Sequence, residues 1–325
     1  MGTMSESAAP PPDDAPLSAS IVTCSFRGDF ELCRMLCDSI DRFVPATIHH
    51  ALYVPAQDVA LFASLSSPRR TIATQESLLP RWLRKVPMPS ARWRRLLGLS
   101  HRNFYVTPFG LPVRGWIAQQ IMKIAATAAA PTEVVAHIDS DNVVVRPLGL
   151  DRLVHGGRVR IYRDPAPVPL ASHRRWHVAA GRLLGLPPSD FYGAEYIDPF
   201  VVWRRSTLRG MIARIEAVAG RDWRVVLSRT PHFAEYVLYG VYADKVAGLD
   251  ASGLCPEAWS LCHSRYSGSF DGGADEARFV AALRPEHVTC LIQSTIPVPE
   301  SARLRLFAQV TARAADQDRA AAGAR

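Results

Sequence analysis

The sequence predicts an α/β fold, a mixed but mostly parallel sheet flanked by helices, and three observations carry that expectation. Strand and helix patterns alternate from residue 21 onward. A buried apolar strand runs directly into an acidic pair, Asp139-Ser140-Asp141. Of the 325 residues, 48% are hydrophobic and 21% charged, an ordinary globular balance in a chain long enough to bury a large core.

Residues 1–20, rich in Pro, Ala, Ser and Asp, bury too little apolar surface to offset the entropy of ordering and are read as a disordered tail. The first core strand is Ile21 to Phe26, ending at Arg27-Gly28 where the chain must turn. A helix capped by Asp29 follows, with Phe30, Cys33, Cys37, Ile40 and Phe43 at helical spacing. Ile48 to Val54 alternates as a second strand and Val59 to Leu65 is helical, so the order implies parallel pairing through right-handed crossovers. Arg114 to Ala129 reads as a helix and Glu133 to Ile138 as a buried strand. Val159 to Tyr162, Ile197 to Trp203 and Val288 to Gln293 are further strands, with helices at Ser206 to Val218 and Phe233 to Val246. The Ala- and Arg-rich stretch 299–325 is a C-terminal helix and tail outside a single domain spanning 21–298.

No segment reaches the roughly 18 uninterrupted apolar residues of a membrane span, and the N-terminus lacks a basic-then-apolar leader, so a cytoplasmic protein is expected. Six cysteines (Cys24, Cys33, Cys37, Cys255, Cys262, Cys290) are too sparse for a disulfide framework or a zinc site and read as buried free thiols. The net charge is +8, and of 38 basic residues only Lys85, Lys123 and Lys245 are lysines. Arginine forks suit phosphate and carboxylate, which points to an anionic partner. Without a nucleic-acid motif or zinc-finger spacing, that partner is a phosphorylated small molecule and not a nucleic acid.

In the acidic pair, residues i and i+2 of an extended chain face one side, so Asp139 and Asp141 can converge on one cation. Mg²⁺ or Mn²⁺ suits such oxygens and keeps positions open for phosphate, neutralising a diphosphate leaving group. With 19 aspartates in the chain, about one Asp-x-Asp is expected by chance, and Asp316-Gln317-Asp318 is a second instance. Context separates them: the first ends a buried strand, where an unpaired carboxylate costs several kcal/mol.

The run Gly115-Trp116-Ile117-Ala118-Gln119-Gln120-Ile121-Met122-Lys123, followed by the Asp139 pair and Arg146-Pro147, resembles bacterial glycosyltransferase-like proteins of the GT-A superfamily, in a group of unknown-function domains. Val22-Thr23-Cys24-Ser25-Phe26, Asp38-Ser39-Ile40 and Glu235-Tyr236-x-x-Tyr239-Gly240 match the same group. The resemblance covers roughly residues 21 to 295. It implies a GT-A-like sheet with a Rossmann-like nucleotide-binding half and a nucleotide-diphospho-sugar donor bound through Mn²⁺ or Mg²⁺. Thr23 and Ser25 would lie near base and ribose. Gln119, Gln120 and Lys123 would face the donor, with Lys123 nearest phosphate; the bland reading makes Gln120 and Lys123 the solvated stripe of an amphipathic helix. Such enzymes often take a third metal ligand from a late histidine, here His263 or His287, with His263 favoured.

Transfer to a hydroxyl needs a base or a front-face path, and Asp198 and Glu235 are the acids to test, each with a structural alternative: a turn before proline for Asp198, a partner for a buried arginine for Glu235. Residues 80–112 form a basic, aromatic arm whose Trp82, Trp93 and arginines suit either an anionic membrane, with a glycan or lipid-linked acceptor, or a cover over the donor pocket. Two rival functions are a haloacid-dehalogenase-type phosphatase, with Asp139 as nucleophile, Asp141 as acid, and Lys245, Asp271 and Asp275 in support, and a non-catalytic sugar-nucleotide binder.

Overall fold

A computed structural model describes residues 17–86, 103–168 and 170–323. Strand β1 (Ala19–Cys24) is buried throughout, which gives it an interior place in the sheet. Helix α1 (Phe30–Phe43) then covers one face with Cys33, Leu36, Cys37 and Ile40, and strand β2 (His49–Val54), helix α2 (Val59–Phe62) and strand β3 (Arg70–Thr74) follow. Strand β1 therefore starts two residues before the expected domain boundary, Ala19 pairing with β7 and Ser20 with both neighbouring strands. Asp29 makes no side-chain cap to α1.

Short strands β4 (Arg84–Lys85), β5 (Phe104–Val106) and β6 (Val113–Arg114) make a small antiparallel sheet, and Trp82 packs edge-on against Phe109 at 4.9 Å. The rest of the expected arm, including Trp93, lies outside the described residues. Helix α3 (Gly115–Ala129) feeds strand β7 (Val134–Ile138), and a turn leads to β8 (Asn142–Val144). Strands β9 (Val154–His155) and β10 (Arg158–Tyr162), helix α4 (Ala171–Leu184), strand β11 (Phe200–Arg204) and helices α5 (Arg205–Ala219), α6 (Trp223–Ser228) and α7 (Glu235–Tyr242) complete the middle of the chain. Beyond them run strands β12 (Leu254–Glu257) and β13 (Cys262–Arg265), helix α8 (Gly273–Ala281), strand β14 (Thr289–Ile292) and helix α9 (Glu300–Gly323).

The main sheet has the order β11-β7-β1-β2-β3, with β7, β1, β2 and β3 mutually parallel and β11 antiparallel to β7. The carboxyl end of β7 thus lies beside the start of β11, and Phe200 is the register partner of Ile138. A second sheet, β13-β14-β8, carries the chain away from the acidic turn.

Helix α9 is not a tail outside the domain. Leu306, Phe307 and Val310 pack with Met35, Val143, Val145 and Ile292 in one buried cluster. Arg146, 2% exposed, donates to Asp318 (3.0 Å), to Gln317 (2.8 Å) and to the Pro285 carbonyl (2.6 Å). The second Asp-x-Asp therefore docks the last helix. All six cysteines are free thiols, five of them buried.

Candidate functional site

The acidic pair sits in the turn between β7 and β8, not in the strand itself. Strand pairing ends at Ile138, and the Asn142 N–H donates to the Asp139 carbonyl at 3.1 Å. Strand alternation therefore does not set where the two carboxylates point; the turn does. Asp139 keeps a 40% exposed side chain, whereas Asp141 is buried and accepts the Ser294 N–H at 2.8 Å. Burial first, then the neighbouring Asp139 charge, pushes the Asp141 carboxyl up to about 6, against the pull of that N–H. Two crowded carboxylates, one of them reluctant to ionise, form a place where added positive charge is favourable.

Lys123 supplies some of that charge. On α3 it is 6% exposed, so it is no solvated stripe residue. Its Nζ lies 3.1 Å from Asp139 Oδ1 and 3.6 Å from Glu235 Oε1, and it donates to the Tyr236 hydroxyl at 2.6 Å. Burial alone would lower the ammonium, but Asp139, Tyr236 and Glu235 outweigh it and hold it well above its ordinary value. Burial raises the Glu235 carboxyl, opposed chiefly by Lys123. Cys24, at the end of β1, is within electrostatic reach of Lys123, Asp139 and Glu235, and burial pushes its thiol up to about 12. These groups therefore gather where β1 and β7 end and α7 begins, the usual ligand position of a parallel sheet.

Asp198 joins them from the other side, in the segment that enters β11. It is 3% exposed, and its Oδ2 has no hydrogen-bond partner among the described residues. Burial drives the carboxyl up to about 7, with the Ser260 hydroxyl, the Arg160 guanidinium and the Phe200 N–H pulling the other way. Arg160 is itself held elsewhere, donating to the Trp259 carbonyl. Tyr266 is half exposed as a residue, and burial of its phenol, then the Asp198 charge, raises it well above its ordinary value.

Several expected site residues do other work. The Thr23 hydroxyl donates to the Ile138 carbonyl at 2.8 Å and meets His50 Nε2 at 3.0 Å, tying β1 to β7 and β2 inside the sheet. Ser25 is buried, and its carbonyl accepts from Gln75. Neither is open to a base or ribose. The Gln120 carbonyl oxygen accepts the Glu235 N–H at 2.9 Å and so satisfies an otherwise orphaned donor of the first turn of α7. Gln119 is only partly buried. His263 points away from the acidic turn: its Nε2 lies 2.8 Å from the Phe279 carbonyl and its ring stacks on Phe279 at 4.2 Å. One residue earlier, Cys262 faces Asn142, and strand alternation sends His263 to the opposite side. His287 lies beside it, with its Nδ1 accepting the Arg284 N–H. Neither His263 nor His287 faces the acidic turn, and no group of three or more His, Cys, Asp or Glu side chains placed for a metal occurs among the described residues. The residues offered for a phosphatase are also engaged: Asp275 pairs with Arg265 (2.6 Å) and Arg278 (3.3 Å), its carboxylate accepts the Asp271 N–H, and Lys245 pairs with Asp244.

Two contributors carried no sequence signal as site residues. Asp29 receives the Ser140 hydroxyl at 3.5 Å and adds negative charge beside Asp141. Arg303 of α9 donates to the carbonyls of Ile292, Gln293 and Ile296, which holds the loop that presents the Ser294 N–H to Asp141. The Glu235-Tyr236-x-x-Tyr239-Gly240 pattern is accounted for in full. Tyr239 accepts the Arg204 N–H at 3.0 Å, and a Cβ on Gly240 would stand 2.1 Å from the Tyr196 ring, two residues before Asp198.

Two protein carboxylates fit a hard divalent cation that arrives with a diphosphate, since Mg²⁺ and Mn²⁺ commonly take one or two carboxylates and fill the remaining positions with water and phosphate oxygens. No helix among the described residues is long and apolar enough to cross a membrane. A family model described as "Family of unknown function (DUF6492)" matches residues 15–266. No curated protein matches.

Proposed function

The chain belongs to this family of unknown function, and on that footing we propose that it is a metal-dependent glycosyltransferase, moving a sugar from a nucleotide-diphospho-sugar to a hydroxyl acceptor on a glycan or lipid-linked carrier. One observation carries the reading: the crowded pair Asp139 and Asp141 follows the interior strand β7 at the same sheet end as a buried carboxyl, Asp198, whose Oδ2 has no partner among the described residues. The strand order and the sequence resemblance support a GT-A-like arrangement.

Asp139 and Asp141 would hold Mn²⁺ or Mg²⁺. A cation held there would supply charge neutralisation to a departing diphosphate. Lys123 orients Asp139 and stays protonated between it and Glu235. Asp198, raised to about 7, is suited to take the acceptor hydroxyl proton near neutral pH, where a general base works best. Glu235, paired to Lys123 and with its N–H held by Gln120, is a positioning residue.

A thermal-shift and calorimetric screen of sugar nucleotides, with Mn²⁺ and with EDTA, tests the reading. A ligand that raises the melting point only with the cation, and not in Asp141→Asn, is the expected result. Failure of every sugar nucleotide to bind the wild-type chain with Mn²⁺ would refute it.

A further inference from the structure

We infer that Trp116, Trp176 and His173 form a carbohydrate subsite on the first turns of α3 and α4, the place where the acceptor glycan docks. The acceptor assignment rests on the function proposed above; the binding of a sugar does not.

Trp116 is 44% exposed although its helix is otherwise among the most buried in the protein. Its ring lies 5.8 Å from that of Trp176 on α4, tilted by 36°, so the pair offers a broad, partly open aromatic surface. Indoles of this kind take the apolar C–H face of a pyranose ring while leaving its hydroxyls outward. His173 stands against Trp176 at 4.5 Å between ring centres. Its Nδ1 lies 2.6 Å from Glu195 Oε2, and the other Glu195 oxygen accepts the N–H groups of Tyr196 and Ile197. The carboxylate is thereby fixed, and in the neutral imidazole it selects the Nδ1–H tautomer. In that tautomer Nε2 is an acceptor, with no partner among the described residues. An oriented imidazole nitrogen beside two tryptophans distinguishes a sugar site from a plain apolar face: a hydroxyl satisfies it and an acyl chain does not.

The chain ties this platform to the acidic basin along two routes. Trp116 and Lys123 lie seven residues apart on one helix, about 10 Å along its axis. The Trp116 carbonyl accepts from Gln120, whose own carbonyl oxygen accepts the Glu235 N–H. On the other side Glu195 precedes Asp198 by three residues, a span of no more than about 10 Å. The platform is thus joined to the carboxyl proposed to accept the proton by a short stretch of chain.

The test needs neither donor nor metal, so it is independent of the cation reading. In ¹H–¹⁵N spectra of the full chain, the seven indole N–H signals are followed during titration with methyl pyranosides of glucose, galactose, mannose and glucuronic acid. Trp116→Phe and Trp176→Phe, which keep an aromatic ring, assign the two peaks. The expected result is that at least one pyranoside shifts those two signals and leaves the others, with its affinity cut at least tenfold in His173→Ala whose melting point stays near wild type. Absence of any shift at saturating concentrations of all four glycosides overturns the proposal. So does a shift of the same two signals by phosphatidylglycerol vesicles and by none of the sugars, which would make the face a membrane contact.

Discussion

Replacing Asp198 by asparagine separates its cost to the fold from its use to the reaction. The carboxyl is buried, with an ordinary value of 3.8 raised to about 7. A group raised on folding adds stability that is fully present below its unfolded value and is lost as the pH rises through its folded value. At about pH 8 the native state therefore carries a penalty of about 4 kcal/mol, and at about pH 5, where only the unfolded chain is largely ionised, about 2 kcal/mol. The neutral amide of the variant would carry neither. Its own unmatched N–H costs about 1–3 kcal/mol, but equally at both pH values. The stability difference between Asp198→Asn and wild type should thus move in the mutant's favour by about 2–3 kcal/mol from about pH 5 to about pH 8, while transferase turnover falls at least a hundredfold, roughly the value of a general base. Urea denaturation in EDTA at the two pH values measures the first quantity. A difference independent of pH would mean that Asp198 titrates normally, and the case for it as a buried base would fail.

Lys123→Met strands Asp139 and the buried Glu235, and should lower stability by about 3–5 kcal/mol; Glu235→Gln in the same background should recover part of the loss, and a cost below about 1 kcal/mol would contradict the buried network. Arg146→Ala removes the links to Asp318, Gln317 and the Pro285 carbonyl, so hydrogen exchange in α9 should rise sharply for a stability loss of about 2 kcal/mol, and unchanged protection would refute its docking role. Gly240→Ala places a methyl group against the Tyr196 ring and should cost about 1–3 kcal/mol and shift the Asp198 segment; a neutral substitution would show that α7 and Tyr196 can separate freely. Asp141→Asn should abolish Mn²⁺-dependent binding of a sugar nucleotide without lowering the melting point of the metal-free chain, since Asp141 bears a burial cost in its charged form.

Much of the framework was legible because apolar periodicity is local. Helix α3, strands β1, β2, β7 and β14 and the last helix all lie within a few residues of their expected bounds. β3 escaped because Arg-Thr-Ile-Ala-Thr has little apolar content; its first residue, Arg70, is buried only because Asp41, His50 Nδ1 and the carbonyls of Leu65 and Cys37 surround it. α4 escaped because Ala171–Leu184 carries arginine at its exposed positions and a histidine, His177, among its buried ones, which breaks the apolar period. The histidine assignment failed for a related reason: nothing near His263 in the chain reveals that it faces α8 and that Cys262 faces the acidic turn.

Residue order by itself determined which segments bury a face, where the strand ends, and that two aspartates stand at that end, since each depends on neighbours a few positions away. Tertiary structure alone decided what the polar groups there touch: Lys123 on Asp139 and Glu235, Ser294 on Asp141, Asp198 with an oxygen unpaired among the described residues. Those partners come from elements up to 153 residues apart. In a low-dielectric interior the nearest partner, not the residue type, sets charge state and therefore chemistry.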